Sequence, residues 1–505
     1  MFVHGRPFLL PIVDWNDRDV PMQSAISNQQ SAIENVMTLV MKFGGTSVAD
    51  ASAFDNVSRI VRERITSRPI VVVSAMSGMT DALIRSFEIA QAGDPDAALA
   101  SLLEKLERHE AVAASMVDGD GEKEFITHLR TAERDIAELL RKVNGHSAPR
   151  PSQRDELLSF GERLSSCLLS FVLRQRGVDA TNVDARQIIL TNYDHGAAQP
   201  ILDETFSRTS SVLLPLVESG RVPVLGGFIG ATSSGATTTI GRGGSDYTAA
   251  LIGAALNVDE IQIWTDVTGV LTADPRIVPQ AQTVERMSYG EAAELAYFGA
   301  KVLHPKTIQP AIEGDIPVRI CNSHAPDARG TLVCAQTETS ARTLKAIAHK
   351  KGVTTVQITS ARMLGAYGFL RALFEVFERH RTVVDVVTTS EVSVSLSLDD
   401  DIALPEILDE LRSLGTVGVE KGRAIICVVG EGLRGTPGIA ARVFSTISDI
   451  NVTLISQGAS SINFTFAIEE DRVVEAVRRL HREFFESERN IADCRLPIAD
   501  CIQPA

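Results

Sequence analysis

Cysteine is scarce in this chain, and so are aromatic side chains. Its 505 residues include six cysteines and two tryptophans, and Phe, Trp and Tyr together make up 5%. No two cysteines stand in C-x-x-C spacing and no histidines gather near them. That argues against a zinc site or a disulfide framework and fits a reducing, cytoplasmic setting. Positive charge is also short: 49 Lys and Arg stand against 64 Asp and Glu, a formal net charge of -15. A nucleic-acid backbone or an anionic membrane is therefore not an expected partner. No apolar run approaches the roughly 20 residues of a membrane-spanning helix. Near the N-terminus, the short apolar stretch Phe8–Val13 is broken by Pro11 and followed by Asp14, which makes a poor signal peptide. Residues 1–36 read as a disordered extension, with folding expected to start near Met37.

What remains is ordinary globular material, 44% hydrophobic and 22% charged. It suffices for roughly two to four domains. From residue 37 to about 323, short Val/Ile-rich runs alternate with longer helical patterns. The runs are Thr38–Met41, Ile70–Val73, Val222–Leu225, Ile261–Trp264 and Val318–Ile320, and helices are predicted over 152–176 and 245–256. Continuous apolar runs suit strands covered on both faces, so a layered α/β domain with a mainly parallel sheet is expected. Its ligands would sit on loops beyond the C-terminal strand ends. Residues 323–345, with Pro326 and Gly330, read largely as a connector.

An internal repeat follows. A helical pattern opens at Gly368 and another at Gly438, and alternating strands run from Val392 to Leu398 and from Ile462 to Ile468. Both pairs are offset by 70 positions (438 − 368 and 462 − 392). Amphipathic helices are predicted near 403–414 and 472–485. Fixed self-similarity indicates two copies of one β-α-β-β-α-β unit, a small antiparallel sheet with helices on one face.

The chemistry-bearing segments follow the predicted strands. Lys42-Phe43-Gly44-Gly45-Thr46-Ser47 either cradles phosphate with backbone N–H groups or is a plain turn. It is not a Walker A loop. Ser74–Asp81 is a ligand loop or the N-cap of a helix, and Glu162 is a partner for an amino group or an exposed helix carboxylate. Gly241-Arg242-Gly243-Gly244-Ser245-Asp246 is the strongest segment. Three glycines abut a helix whose N-cap would be Ser245, and Arg242 can grip a carboxylate bidentately. Asp246 could orient Mg²⁺ or the reacting groups. Thr265 to Arg276 and Phe298 to Pro305 could frame a nucleotide, with Arg276 and Lys301 on phosphate or ribose.

In order, KFGGTS (42–47), VVVSAMSGMTD (71–81), GERLSS (161–166), GRGGSD (241–246), WTDVTGVLTADPR (264–276), FGAKVLHP (298–305) and VDVVTTSEVSVSL (384–396) closely resemble the aspartokinases of the amino-acid kinase family. The resemblance spans roughly residues 38–487. It implies a three-layer α/β sandwich with a mainly parallel sheet, followed by two ferredoxin-like ACT domains of α+β type. The implied boundaries are a catalytic domain over 37–337, a regulatory region over 338–487 and a tail over 488–505. Within the regulatory region, the first ACT domain would cover about 360–436 and the second about 343–359 plus 437–487.

The implied activity is transfer of the ATP γ-phosphoryl group to the side-chain carboxylate of L-aspartate, with Mg²⁺ accompanying ATP. Carried over by motif, Lys42 and Asp246 would be catalytic, and Thr80, Glu162, Arg242 and Ser245 would bind aspartate. Lys42, Gly44, Gly45, Ser47, Thr265, Asp266, Arg276, Lys301 and Val302 would line the ATP site. Met363, Phe369, Leu370, Val384, Asp385, Thr389, Ser390 and Glu391 would meet an effector, lysine first and threonine second, with no protein-held metal site. A homodimer or homotetramer through the ACT domains is implied. Two departures stand out: Leu271, where relatives can carry Tyr, and Gly365-Ala366-Tyr367, where lysine-inhibited relatives can show His-Ser-Arg. Enzymes of the same fold acting on glutamate, acetylglutamate or a nucleotide, and a catalytically dead amino-acid sensor, are the competing readings.

Overall fold

The computed structural model describes residues 37–144, 151–299, 303, 305–335, 343–399 and 402–486. The extension 1–36, Lys301, Val302, the expected 337/338 boundary and the tail from 488 lie outside the described residues.

Ten strands form the first part: β1 Leu39–Phe43, β2 Pro69–Val73, β3 Ala180–Val183, β4 Val222–Gly226, β5 Ile229–Ala231, β6 Thr237–Thr239, β7 Glu260–Thr265, β8 Arg286–Ser288, β9 Val318–Asn322 and β10 Thr331–Cys334. Eight of them make one sheet in the order β3-β4-β2-β1-β7-β9-β10-β8, parallel throughout except between β9 and β10. β5 and β6 form a separate hairpin. The five strands expected from Val/Ile runs are all in the large sheet. Their alternate residues serve opposite cores: Leu39, Met41, Phe43, Val71 and Val73 face one, while Val40, Ile70 and Val72 face the other. Helices Ala51–Glu63, Met79–Gln91 and Pro151–Gln175 contribute to the first core, and helices Leu202–Glu218 and Gly244–Leu256 to the second. Burial on both faces explains why β2 and β4 show no polar alternation, while β7 and β9 carry Glu260, Gln262 and Arg319, which bond to one another along and across the strands.

The stretch expected to be mainly connector instead holds β10. Thr331-Leu332-Val333 pairs with β9 after the turn at Gly330, where the chain reverses at positive φ. Four residues were too short a run to stand out from their Ser/Thr/Ala surroundings.

The second part is one antiparallel sheet, built from β11 Ala346–Thr359, β12 Val387–Thr389, β13 Ser393–Leu398, β14 Thr416–Val429, β15 Leu454–Ser456 and β16 Asn463–Glu469. Its order, β12-β13-β11-β14-β16-β15, reads as one three-strand unit and its mirror. The 70-residue offset recurs in the starts of β11 and β14, of β13 and β16, and of helices Phe369–Arg379 and Ile439–Thr446. Both helices are capped by a left-handed glycine, Gly368 or Gly438. The second amphipathic helices span Leu404–Leu411 and Val473–His481. Two apolar cores divide the long central strands: Val356 and Ile358 pack with the first copy's helices, while Ile347, Ala424, Ile426 and Val428 pack with the second's.

The two parts are joined tightly. Ala273, Ile277 and Val278, from the loop after β7, lie in the second copy's core. Thr272 Oγ1 meets buried His481 Nε2 at 2.9 Å, and Lys345 pairs with buried Glu291 at 2.8 Å. Among the described residues, no helix is long and apolar enough to cross a membrane.

Candidate active site

Strand register assembles the site. Phe43 of β1 is level with Val73 of β2 and Trp264 of β7, and Val73 is level with Gly226 of β4. The loops leaving these strands therefore emerge side by side at one sheet edge, as parallel α/β topology requires. Gly44 N–H donates to Trp264 O and Ser74 N–H donates to Phe43 O, which lashes three of the loops together.

Two adjoining hollows open there. The smaller, about 250 Å³, is lined by Lys42, Ser74, Thr80, Glu162, Phe228 and Gly241–Asp246. The larger, about 450 Å³, is lined by Gly44–Thr46, Ser74–Gly78, Thr80, Asp81, Thr265 and Asp266. Ser74 and Thr80 belong to both. A still larger cleft of about 510 Å³, between helices Asp120–Val143 and Pro151–Gln175 beside β3, holds none of the predicted site residues. That cleft has charged walls of its own, including Arg163, Arg174 and Asp184, but it is the two hollows that open on the loops leaving β1, β2 and β7.

In the smaller hollow Lys42 Nζ lies 2.6 Å from Asp246 Oδ1. Asp246 is in the first turn of helix Gly244–Leu256, whose N-cap is Gly243 at φ 76°. Ser245 is therefore not the cap. The left-handed backbone that Gly243 accepts starts the helix earlier, and Ser245 is left to accept a hydrogen bond at Oγ from Ser74 Oγ, 3.1 Å away. Its close seat depends on Gly227, where a Cβ would fall 2.6 Å from Ser245 Cα.

Glu162 is 3% exposed, and its Oε2 has no hydrogen-bond partner. Burial pushes its carboxyl up to about 8, against a smaller opposing effect of the Ala75 backbone hydrogen bond. Of the two readings of Glu162, the exposed helix carboxylate is excluded. Such a group invites a cation, because an isolated buried carboxylate is costly. Arg242 is exposed at the hollow's rim.

Two glycine-started helices, Met79–Gln91 and Gly244–Leu256, begin at the hollows. Their N-terminal N–H groups and dipoles favour anions.

Not every predicted residue is brought in. Gly44, Gly45, Thr265 and Asp266 line the larger hollow, but Ser47 is buried beneath it, its hydroxyl donating to Ser323 Oγ at 2.9 Å. Arg276 side chain is 87% exposed and pairs with Asp274 at 2.7 Å, away from both hollows. Lys301 and Val302 lie outside the described residues. Of the predicted effector residues, Asp385 is turned inward, 3.2 Å from Lys350 Nζ. Burial, then the neighbouring Asp399 carboxyl, push it up to about 8. Thr389, Ser390 and Glu391 are exposed around the turn from β12 to β13, where Ser390 and Ser393 hydroxyls bond at 2.7 Å.

Thr46 and Ser74 line the hollows from segments the sequence singled out, whereas Phe228 lies outside all of them. Phe228 has φ 67°, a conformation costly for a non-glycine residue and one that concentrates at functional sites. Its N–H donates to Thr248 Oγ1. The available signal was its place directly after Gly226-Gly227 at a strand end.

Comparison with known proteins supplies the class first. Residues 37–322 match the model of the amino acid kinase family, and residues 426–484 match an ACT domain. Lysine-sensitive aspartokinase 3 of Escherichia coli (strain K12) is 38% identical over 461 residues, covering 89% of this chain and 99% of that protein. Chloroplastic aspartokinase 3 of Arabidopsis thaliana is 39% identical over 483 residues, covering 90% and 83%. The crystal structure of E. coli aspartokinase III with aspartate and ADP in the R-state superposes with a TM-score of 0.75 at 37% identity, over 89% of this chain and 100% of that one. The T-state structure with lysine and aspartate gives 0.74 at 37%, over 89% and 99%. The chain belongs to the amino acid kinase family, among its aspartokinases.

Proposed function

We propose that the chain transfers the γ-phosphoryl group of ATP to the β-carboxylate of L-aspartate, giving 4-phospho-L-aspartate and ADP. This is the first step toward lysine, threonine and methionine. The observation that carries the reading is the smaller hollow, where buried Glu162, its Oε2 without a hydrogen-bond partner, and rim Arg242 offer complementary charges to an α-amino acid. Glu162 receives the α-ammonium, Arg242 the α-carboxylate, and Thr80, Ser74 and Ser245 line the pocket between them. The β-carboxylate then points toward Lys42, on the side shared with the larger hollow, which takes the ATP phosphates on Gly44, Gly45 and the N-terminus of helix Met79–Gln91.

A carboxylate with a pKa of about 4 is already ionised at neutral pH, so no strong general base is needed. The work is to bring two anions together and to balance charge on the transferring group, which falls to Lys42, with Asp246 holding its ammonium in place. Mg²⁺ fits this site as an ion carried mainly by ATP phosphates and water, with Asp246, Asp266 and Asp81 among the carboxylates lining the hollows. When bound it shields phosphate charge.

Lysine is the proposed feedback effector, since the E. coli relative is lysine-sensitive and its T-state structure holds lysine, and threonine is the second choice. Glu391 is exposed and free to meet an effector ammonium, whereas Asp385 would first have to leave Lys350. The regulatory surface also exposes Leu364, Tyr367, Leu370, Val383 and Val392, which suits self-association into a dimer or tetramer.

ADP release measured with aspartate, glutamate and acetylglutamate tests the activity, and titration with lysine and threonine tests the regulation. Absence of turnover with aspartate overturns the first reading. Indifference to both amino acids overturns the second.

A further inference from the structure

Helix Leu103–Met116 carries none of the recognised motifs and does not line the larger hollow, yet its Arg108 side chain holds two loops beside it. Arg108 Nη1 donates to Ser77 O at 2.9 Å, and Nη2 donates to Ala49 O at 2.5 Å. Ser77 belongs to the loop that follows β2. Ala49 ends the turn Gly45–Val48 that follows β1. One guanidinium thus bridges the two loops that line the hollow. Arg108 forms no ion pair with a carboxylate among the described residues; its hydrogen bonds are to these two main-chain carbonyls. One turn earlier on the same helix, Lys105 Cε lies 3.9 Å from where a Cβ on Gly78 would stand, beside the N-terminus of helix Met79–Gln91.

We propose that Arg108 is a positioning residue for phosphoryl transfer, clamping the β1 and β2 loops into one phosphate-binding frame. The inference rests on the larger hollow being the ATP-phosphate site. The two loops bind through main-chain N–H groups around Gly44, Gly45 and Gly78, so their relative placement is the binding geometry. They come from separate strands, joined at their roots by Ser74 N–H donating to Phe43 O, and Arg108 joins them a second time at Ser77 and Ala49. A planar guanidinium fixes two carbonyls relative to each other, which a lysine ammonium on a flexible stem does not do. Misplacement of reacting groups by about 1 Å costs on the order of 100-fold in rate.

The test uses the full chain with Arg108→Ala and Arg108→Lys. In Arg108→Ala, kcat/KM for ATP should fall about 10- to 100-fold, while KM for aspartate stays within about threefold. Melting temperature should change little, and added guanidinium should restore part of the lost activity in Arg108→Ala and none in wild type. Arg108→Lys should fall between the two, and it serves alone if the alanine variant does not fold. An unchanged kcat/KM for ATP overturns the clamp. So does an equal loss for both substrates that follows a fall in melting temperature and resists guanidinium. Lys42→Met run alongside separates the two levels: if it keeps full activity, the reading of the site fails, whereas an inactive Lys42→Met with normal Arg108 variants refutes the clamp alone.

Discussion

Glu162→Gln probes the proposed substrate pocket at its most unusual group. In the empty protein, burial pushes this carboxyl from 4.5 up to about 8. That displacement corresponds to roughly 5 kcal/mol against the carboxylate form. An α-ammonium arriving beside it reverses the balance, because a paired buried charge is tolerated where an isolated one is not. The pH dependence follows from the direction of the shift. Between 4.5 and about 8 the folded empty protein keeps a proton that the unfolded chain has released. The stability contributed by this group is therefore fully present below 4.5 and is lost as pH rises toward about 8. Aspartate binding should expel that proton, so KM for aspartate should fall as pH rises through neutrality and level off above about 8. Glutamine keeps the shape and loses the charge. The substrate's ammonium then meets no counter-charge, at a cost of roughly 2–4 kcal/mol, about 30- to 1000-fold in kcat/KM for aspartate. KM for ATP should move less than about threefold. The slope of KM for aspartate against pH should flatten, and the empty variant should melt higher than wild type near pH 8. Steady-state kinetics across pH and thermal melts without substrate read all of these. A KM for aspartate within about twofold of wild type, or an unchanged pH slope, refutes the assignment of Glu162 to the ammonium.

Lys42→Met should lower kcat by about 10²- to 10³-fold, since it removes the cation placed for the transferring group, with KM for aspartate little changed; a loss below about tenfold counts against that role. Arg242→Lys should raise KM for aspartate about tenfold, because an ammonium cannot reproduce the bidentate fork, and an unchanged KM removes Arg242 from the α-carboxylate. Phe228→Gly should melt above Phe228→Ala, since only glycine relieves a left-handed backbone worth roughly 1–3 kcal/mol of strain; the reverse order refutes the strain argument.

Much of this was legible before any coordinates. The Val/Ile runs located the five strands because most of their residues are buried on one face or the other, which keeps polar residues few. The 70-residue repeat survived as matched strands and helices because each copy must bury the same face. Lys42, Gly44, Gly45, Arg242 and Asp246 could be placed together at the strand ends because their glycine-rich segments follow predicted strands, and the structure brings those segments to the two hollows. Other features depended on proximity that sequence spacing does not encode. Ser47 and Arg276 sit in the right segments, yet one is drawn under the sheet edge by Ser323 and the other is held by Asp274.

By itself the sequence determined the layered fold, the duplicated regulatory unit and the loops that carry the chemistry, because these rest on periodicity, glycine placement and local order along the chain. Only the tertiary structure decided that Glu162 is a buried carboxyl with an unsatisfied oxygen rather than a solvated one, that Phe228 lines the pocket, and that Arg108 spans two loops from a third element. Those properties depend on which groups lose water and which carbonyls come within reach of one guanidinium. Desolvation and hydrogen-bond geometry are set by neighbours in space, and residues 31 and 59 positions apart become neighbours of Arg108 only when the chain is folded.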